Sequence, residues 1–312
     1  MSSMTRRTFL RRSALAGAVS LSPVVLTGCS NSSSPASTGG SGGNSSAAGS
    51  GSSNLDLTAN IGGNYVSRQQ VLVWEARRLQ VVASRMSGNM AASLIEDLSA
   101  LIVRQPEDTS DIVQERNLLA DAKIKAGDAA MRQLIANDLL ISGPLMSASA
   151  ALPGYSTSQI DIISNQGTAE GFASWFADNF FNPGNERSIL VACPDHYVFN
   201  TVTPNVVNAS EEMGGALLVA SFVLELGSDT ARLPIVTEPD FPIRFTGAGL
   251  DSAHDVAGGF NHRFKNLDQG FQSRLGVFFP STLPFWIPAE HQWHLACEFS
   301  NWITAYIEET GG

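Results

Sequence analysis

The feature that most restricts the fold is a C-terminal segment with the pattern of one long buried helix. Pro288 is placed to open this helix, and Gly311 and Gly312 follow it. Its apolar side chains cover every side of the helix: Trp293, Leu295, Ala296, Phe299, Trp302, Ile303, Tyr306 and Ile307. A helix that is apolar all round has no face for water. We therefore expect this helix to lie buried against other elements.

Two polar side chains interrupt this helix at a spacing that suits metal binding. His294 and Glu298 lie four residues apart, about 400° of rotation and a rise of about 6 Å, so both point off one face. An imidazole and a carboxylate placed in this way can hold one metal ion, and polar groups inside an apolar helix need partners. His291 lies on the same stripe near the helix start, where we expect capping or solvent exposure. By itself, a His-x-x-x-Glu match is a weak signal.

The N-terminus has the pattern of an export signal. Thr5 to Leu10 contains a twin-arginine pair, and Ser13 to Leu26 is a short hydrophobic stretch, too short for a transmembrane helix. Leu26-Thr27-Gly28-Cys29 is typical of a bacterial lipobox. We expect residues 1–28 to be a signal peptide and Cys29 to carry the lipid that anchors an exported protein to the membrane.

The segment after the lipobox and the charge of the chain indicate how the folded part meets its surroundings. Residues 29–60 begin with a run rich in serine and glycine, which predicts a flexible tether. Removal of the signal peptide takes four arginines away and moves the formal charge from −10 to −14. Such an acidic surface argues against nucleic acid as a partner and against direct docking on anionic lipid. The lipid would supply the membrane contact instead.

The remainder divides into a helical and a strand-rich region. Residues 61–145 show apolar residues at three- and four-residue spacing, with a helix start at Thr109-Ser110-Asp111, and we see no chemistry there. Residues 143–168 read as irregular, and 146–312 as a second domain with alternating strands. The predicted strands are 188–200, 216–226, 240–246, 260–264 and 271–279. Antiparallel strands closed by one long C-terminal helix predict an α+β helix-grip architecture, in which a curved sheet leaves a ligand cavity beside the helix.

Four residues are candidate metal ligands. His196 follows Pro194 at a strand break, and Glu225 is a carboxylate on an otherwise apolar strand face, where it is costly unless paired or metal-bound. With His294 and Glu298 they form a set of two histidines and two carboxylates, which suits Zn²⁺ or another divalent metal such as Fe²⁺. The alternative for Glu225 is a strand-end residue that reaches solvent.

A fifth polar residue is a candidate for proton transfer. His262 shares a strand face with Phe260 and Phe264, and apolar surroundings would keep its imidazole neutral near pH 7, ready to act as a base or acid. The alternative is a surface histidine. Cys193 and Cys297 are the internal cysteines, and either a disulfide or two buried thiols is consistent with them.

The C-terminal half, roughly residues 170–309, resembles the 2,4-diacetylphloroglucinol and phloretin hydrolase family, zinc enzymes that cleave a carbon–carbon bond beside an aromatic ketone. The likeness rests on Ser174-Trp175-Phe176 leading to Pro194-Asp195-His196, on Ser221 to Glu225, on His262 with Ser273-Arg274-Leu275 downstream, and on His294 to Glu298 with Asn301. Asp178-Asn179 stand where the family usually carries a histidine, and the export signal is not typical of it, so the substrate stays open.

The resemblance implies a zinc ion held by His196, Glu225, His294 and Glu298, with His262 as the catalytic proton carrier. Phe260, Phe264 and Trp293 would line the substrate cavity. The implied partner is an aromatic ketone or another hydrophobic small molecule, and a homodimer is compatible with it. Two alternatives remain: a non-enzymatic lipoprotein that binds a hydrophobic ligand, and a non-haem iron enzyme.

Overall fold

The structure is a computed structural model, and it describes residues 55–90, 98–103, 105–214, 218–227 and 232–311. The predicted signal peptide, Cys29 and all but the last residues of the predicted tether lie outside these ranges. The chain from Ser52 onward forms one compact unit. No helix of the described part is long and apolar enough to cross a membrane.

An antiparallel sheet of nine strands dominates this unit, in the order β2-β1-β3-β9-β8-β7-β6-β5-β4. Its strands are β1 (Leu57–Ile61), β2 (Asn64–Ser67), β3 (Tyr155–Ser164), β4 (His196–Thr203), β5 (Val206–Glu212), β6 (Val219–Leu226), β7 (Ile243–Leu250), β8 (Val256–Asn266) and β9 (Phe271–Pro280). Most neighbours in the sheet are also neighbours in sequence. The exception is β3, which pairs with β1 on one side and with β9 on the other, so that it links the first and last strands in the sequence.

Seven helices are described together with this sheet. They are α1 (Arg68–Ser87), α2 (Ser99–Val103), α3 (Ile112–Leu134), α4 (Ala136–Ala150), α5 (Ala169–Phe180), α6 (Glu186–Ala192) and α7 (Trp286–Thr310). The last of them is the predicted C-terminal helix, and it ends at Gly311 in the left-handed conformation with φ 80°. The prediction of an α+β fold with a large antiparallel sheet and a C-terminal helix is confirmed.

The face of the sheet that meets α7 carries the main core. Along β6, Phe222, Leu224 and Leu226 pack into this core, together with Ile160 and Ile162 of β3. Rings from α5 and α7 fill the space between helix and sheet, and Phe176 lies at centroid distances of 5.5 Å from Phe299 and 5.1 Å from Trp302. The all-round apolar surface of α7 is thus buried by neighbouring elements, as its sequence requires.

The helical region is part of the same unit, so the predicted boundary near residue 145 does not separate two domains. The predicted tether ends before residue 60, because β1 begins at Leu57 and joins the sheet. Residues 143–168 are not irregular: α4 continues through Pro144 to Ala150, and β3 follows. The predicted strand 188–200 was wrong in its first half, where α6 lies.

A buried ion pair connects the helical region to α7. Arg116 of α3 donates two hydrogen bonds to Glu75 of α1, at 2.8 and 2.9 Å. The amide nitrogen of Asn301 donates to the same carboxylate at 3.3 Å and to the carbonyl oxygen of Ala192 at 2.8 Å. Both charges are almost fully buried, which is tolerable only because they are paired. This network fixes α7 against the helices behind it.

Candidate metal centre

His196 is the first residue of β4 and is fully buried. Its Nδ1 donates a hydrogen bond to the carbonyl oxygen of Ile189 at 2.7 Å. A neutral imidazole that donates from Nδ1 carries its lone pair on Nε2. Metal-binding histidines are commonly oriented by such a bond from the other ring nitrogen. The helix α6 therefore sets which atom of His196 faces the centre of the fold.

His294 meets it from α7. The Nε2 atoms of His294 and His196 lie 3.2 Å apart. On the other side of its ring, His294 Nδ1 lies 3.8 Å from Asp195 Oδ2 and 3.7 Å from Cys193 Sγ. Asp195 is in turn held by Arg78, whose Nε donates to it at 2.8 Å. A carboxylate behind a histidine is the arrangement that orients many metal-binding imidazoles.

Two carboxylates complete the cluster. Glu298 Oε2 lies 3.3 Å from His196 Nε2 and 3.7 Å from His294 Nε2. Glu211 Oε2 lies 3.8 Å from the first of these nitrogens and 3.9 Å from the second. Glu211 pairs directly with His196 in the register of β4 and β5, so both side chains point to the same face of the sheet. The sequence reasoning missed Glu211.

Glu225 does not join this cluster, and its assignment as a ligand was wrong. It pairs with Val206 of β5 and Ala248 of β7. Glu211 instead pairs with Ala220, five positions earlier on β6. Side chains alternate along a strand, so an odd offset places Glu225 on the face of the sheet that points away from α7. The prediction that Glu225 shares a strand face with apolar residues was reasonable, but that face is the outer face of the sheet.

The cluster has the dimensions of a metal site. Tetrahedral zinc with ligand bonds of about 2.0–2.2 Å has ligand atoms about 3.3–3.6 Å apart. The distances from the Nε2 atoms of His196 and His294 to each other and to the carboxylate oxygens of Glu211 and Glu298 run from 3.2 to 3.9 Å and bracket this range. Donor atoms of Cys193, His196 and His294 also lie within 4.8 Å of one another and could hold a metal ion.

Two sets of donor atoms are thus possible, one with the Cys193 thiol and one with the carboxylates of Glu211 and Glu298. Both sets contain His196 and His294, but they use different nitrogens of the His294 ring. Cys193 lies beside Nδ1, whereas both glutamates lie beside Nε2, where the lone pair of His196 also points. Burial and the adjacent Cys297 raise the pKa of the Cys193 thiol well above its usual value. Glu298, whose pKa is lowered, therefore offers an anionic ligand, whereas the Cys193 thiol favours its protonated form beside the ring of His294. Both cysteines are free thiols.

The cluster brings several ionisable side chains together in a buried position. Burial raises the pKa of Glu211. Burial opposes ionisation of Glu298 as well, but the contacts with His196 and His294 lower the pKa of Glu298 overall. Burial alone would lower the pKa of His294, yet the carboxylates of Asp195, Glu298 and Glu211 raise it well above its usual value. These carboxylates thus favour a positive charge between them.

A cavity opens beside the cluster and encloses about 840 Å³ of empty space, counting open solvent at its mouth. Its walls are mainly aromatic, and the lining includes Phe176, Phe199, Phe222, Phe260, Phe299 and Trp302. Glu211 and Glu298 of the cluster form part of the wall. The two carboxylates of the candidate centre are thus accessible to a ligand held among apolar side chains.

His262 lines the same cavity from β8. Its ring stacks on Phe260 at 5.1 Å and lies edge-on to Phe299 at 4.9 Å. Burial lowers the pKa of His262 to about 4, and the charge of Glu298 opposes this only in part. His262 Nδ1 has no hydrogen-bond partner in the described part of the chain. His262 thus lies buried on the cavity wall, and the alternative of a surface histidine does not apply.

Of the three predicted wall residues, the structure places only Phe260 on the cavity. Phe264 is fully buried beneath α5, edge-on to Phe172 at 5.4 Å, and Trp293 packs against the main core from a half-buried position. Both belong to the core rather than to the cavity wall. The alternation of β8 placed Phe264 on the correct face, but α5 covers that end of the strand.

His291 is not a capping or exposed residue, contrary to expectation. It is 3% exposed, lines the cavity, and stacks on His294 at 4.8 Å with an angle of 16° between the rings. The helix starts at Trp286, so His291 already lies more than one turn inside it. Its ring lies edge-on to Phe279 at 5.0 Å.

No model of a protein family matches the chain, and no curated protein sequence matches it either. The fold and the site define the class: an α+β protein with a cysteine and two histidines that could hold a metal ion, close to two buried carboxylates and an apolar cavity.

Proposed function

We propose that this protein is a metal-dependent hydrolase that cleaves a carbon–carbon bond next to a ketone in an acylphenol or a related diketone. The metal is zinc, with iron(II) as the alternative, and the ligands are His196, Glu211, His294 and Glu298. The architecture is a helix-grip fold in which the sheet curves around α7. The proposal keeps the function expected from the family resemblance and replaces one ligand, Glu225, by Glu211.

The observation that carries the proposal is the approach of four lone-pair donors. The Nε2 atoms of His196 and His294 lie 3.2 Å apart, and a carboxylate oxygen of Glu298 lies within 3.7 Å of both. The Nδ1 of His196 already donates to Ile189, which leaves its Nε2 with a lone pair that faces this centre. A divalent ion at this point would balance the charge of two carboxylates, and it would replace the proton that these carboxylates otherwise hold on His294.

A zinc ion held there would polarise a ketone oxygen or lower the pKa of water. In hydrolysis, the acyl carbon gains the oxygen of water and leaves as a carboxylic acid, while the ring carbon gains a proton. His262 stays neutral near pH 7 and lines the cavity, so it can carry that proton. The aromatic walls, including Phe260 and Phe299, bind the apolar body of the ligand and exclude bulk water.

The same proposal places the enzyme outside the cytoplasm, anchored to a membrane through a lipid on Cys29. The support is the order of the sequence motifs: a twin-arginine pair, a short hydrophobic stretch and a lipobox, followed by the Ser- and Gly-rich segment. Mass spectrometry of the membrane fraction from expressing cells tests this, since lipidated protein begins at Cys29. Cys29→Ala should release the protein into the soluble fraction.

Metal analysis and an assay panel separate the proposed enzyme from its alternatives. The purified chain should contain one zinc ion per molecule and hydrolyse members of a panel of acylphenols and diketones. Stoichiometric iron together with oxygen consumption would favour a non-haem iron enzyme with two histidines and one carboxylate. Binding of the panel compounds without any stoichiometric metal would favour a non-enzymatic ligand-binding protein.

A further inference from the structure

His291 is a buried polar side chain that the proposed reaction does not use. It lines the cavity, it is 3% exposed, and its Nδ1 has no hydrogen-bond partner in the part of the chain that the structure describes. Its position is fixed by packing, because it stacks on His294 and lies edge-on to Phe279. Gly214 approaches so closely that a Cβ there would overlap the backbone nitrogen of His291.

A buried polar atom without a partner is costly, and native proteins rarely leave one in that state. A ligand oxygen in the cavity would satisfy it. The second such imidazole on the cavity wall is His262, whose Nδ1 is also unpartnered among the described residues. Two imidazoles that await partners in one cavity indicate a ligand with more than one oxygen at the end that meets the metal.

The rest of the wall limits what else the ligand carries. Among the described residues, the cavity has no lysine or arginine in its lining, and its charged lining residues are Glu211 and Glu298. A divalent ion would cancel these two charges and leave no excess positive charge for an anionic ligand. The remaining lining, which includes Met146, Phe222 and Val277, is apolar. Charged or polar groups on the distant part of a ligand would therefore lose their hydration without compensation.

We propose that His291 is a ligand-binding residue that hydrogen-bonds a second oxygen next to the ketone, so that the site selects neutral 2-acylphenols or 1,3-diketones with an apolar remainder. This inference rests on the proposed function. It adds a residue that hydrogen-bonds the second oxygen, and it excludes carboxylated or phosphorylated compounds as good ligands.

The test compares two probes that differ by one hydroxyl: a 2-hydroxyphenyl alkyl ketone and the phenyl alkyl ketone without that hydroxyl. Calorimetric titration of the full zinc-loaded chain gives both dissociation constants, and metal analysis is run on every variant. The wild type should bind the hydroxylated probe about tenfold more tightly, as expected for one buried hydrogen bond. His291→Phe, which keeps a flat ring on His294, should lose this preference and retain its zinc.

His291→Gln keeps a donor and an acceptor and should keep part of the preference, which guards against a general packing effect in the phenylalanine variant. The inference is overturned if the wild type shows no preference, if His291→Phe keeps the preference, or if His291→Phe loses its zinc. Absence of zinc from the wild type would instead refute the proposed function. The same titrations on the metal-free chain would then show whether His291 forms a hydrogen bond with the hydroxyl group of the probe.

Discussion

The Nε2 atom of His196 lies 3.2 Å from the Nε2 atom of His294, although one residue comes from a strand and the other from a helix 98 positions later. The bond from His196 Nδ1 to Ile189 and the approach of Asp195 to His294 Nδ1 turn the two Nε2 atoms toward each other. The two Nε2 atoms therefore meet at hydrogen-bonding distance, and the same geometry would let both of them bind one metal ion.

His262 should make the protein less stable as the pH falls. Its pKa is about 4 in the folded state and about 6.5 when unfolded, so the unfolded chain binds the extra proton first as pH falls below 6.5. The contribution of His262 to stability is therefore complete above pH 6.5 and is lost progressively toward pH 4. Between pH 7.5 and pH 5, we expect the wild type to lose about 2 kcal/mol more stability than His262→Phe.

Urea unfolding at the two pH values measures this difference, and any loss of metal at low pH affects both proteins alike. NMR of the imidazole protons gives the same answer directly, since His262 should remain neutral at pH 5. An equal loss of stability in both proteins, or a His262 titration near pH 6.5, would show that this ring is not held in an apolar wall.

Lys123 should stabilise the turn that carries the site residues Cys193, Asp195 and His196. It is 1% exposed, and its Nζ donates to the carbonyl oxygens of Pro194, at 2.7 Å, and of His196. In Lys123→Met both oxygens lose a buried partner, although removal of a buried charge offsets part of the cost. We expect a net loss of about 2 kcal/mol in urea unfolding and a weaker zinc affinity by about tenfold.

The matched control is Lys125→Met on the exposed side of the same helix, which should change stability by less than about 0.5 kcal/mol. If Lys123→Met behaves like this control, the helical region does not support the site. This role could not be predicted from the sequence, because a lysine in a charged helix ordinarily lies in solvent.

The parts of the fold that could be read from the sequence are those with a strong local pattern. A helical segment with apolar residues on all sides is expected to be buried, and this pattern predicted α7. Period-two alternation placed Phe260 and His262 on the inner face of β8. The face of β6 was ambiguous, since both of its faces carry apolar residues and only the tertiary structure decides which one meets α7. This is why Glu225 was chosen.

Glu211 could not be predicted as a ligand for a different reason. Pro204-Asn205 is a turn signal between β4 and β5, and a regular hairpin closed by the pair Thr203 and Val206 would set Met213 opposite His196. Two irregularities in β4 shift the register by one residue each, so that Glu211 takes that place. Such bulges leave little trace in a single sequence.

Gly249 should set how large a ligand the cavity accepts. It lines the cavity, it pairs with Leu224 on the inner face, and a Cβ there would make ordinary contacts of 3.6 Å or more. A larger side chain can therefore grow into the empty space without displacing the backbone. We expect Gly249→Leu to weaken binding of ketones with long alkyl or second aryl groups by about tenfold or more, and to spare small ones.

Gly143→Leu is the control, since Gly143 lies on α4 with nothing within 4 Å of its missing Cβ. It should leave the affinity for ketones of every size unchanged. Equal weakening of small and large ketones by Gly249→Leu would mean that the substitution distorts the sheet rather than fills the cavity.

We propose that His196, Glu211, His294 and Glu298 hold one metal ion. The most direct measurement is the metal content of the purified wild type and of two matched variants, Glu211→Gln and Glu225→Gln, by mass spectrometry after dialysis against a weak chelator. We predict one zinc per chain in the wild type and in Glu225→Gln, and less than a tenth of that in Glu211→Gln. Full zinc content in Glu211→Gln, or no metal in the wild type, would show that these four residues do not form a metal site.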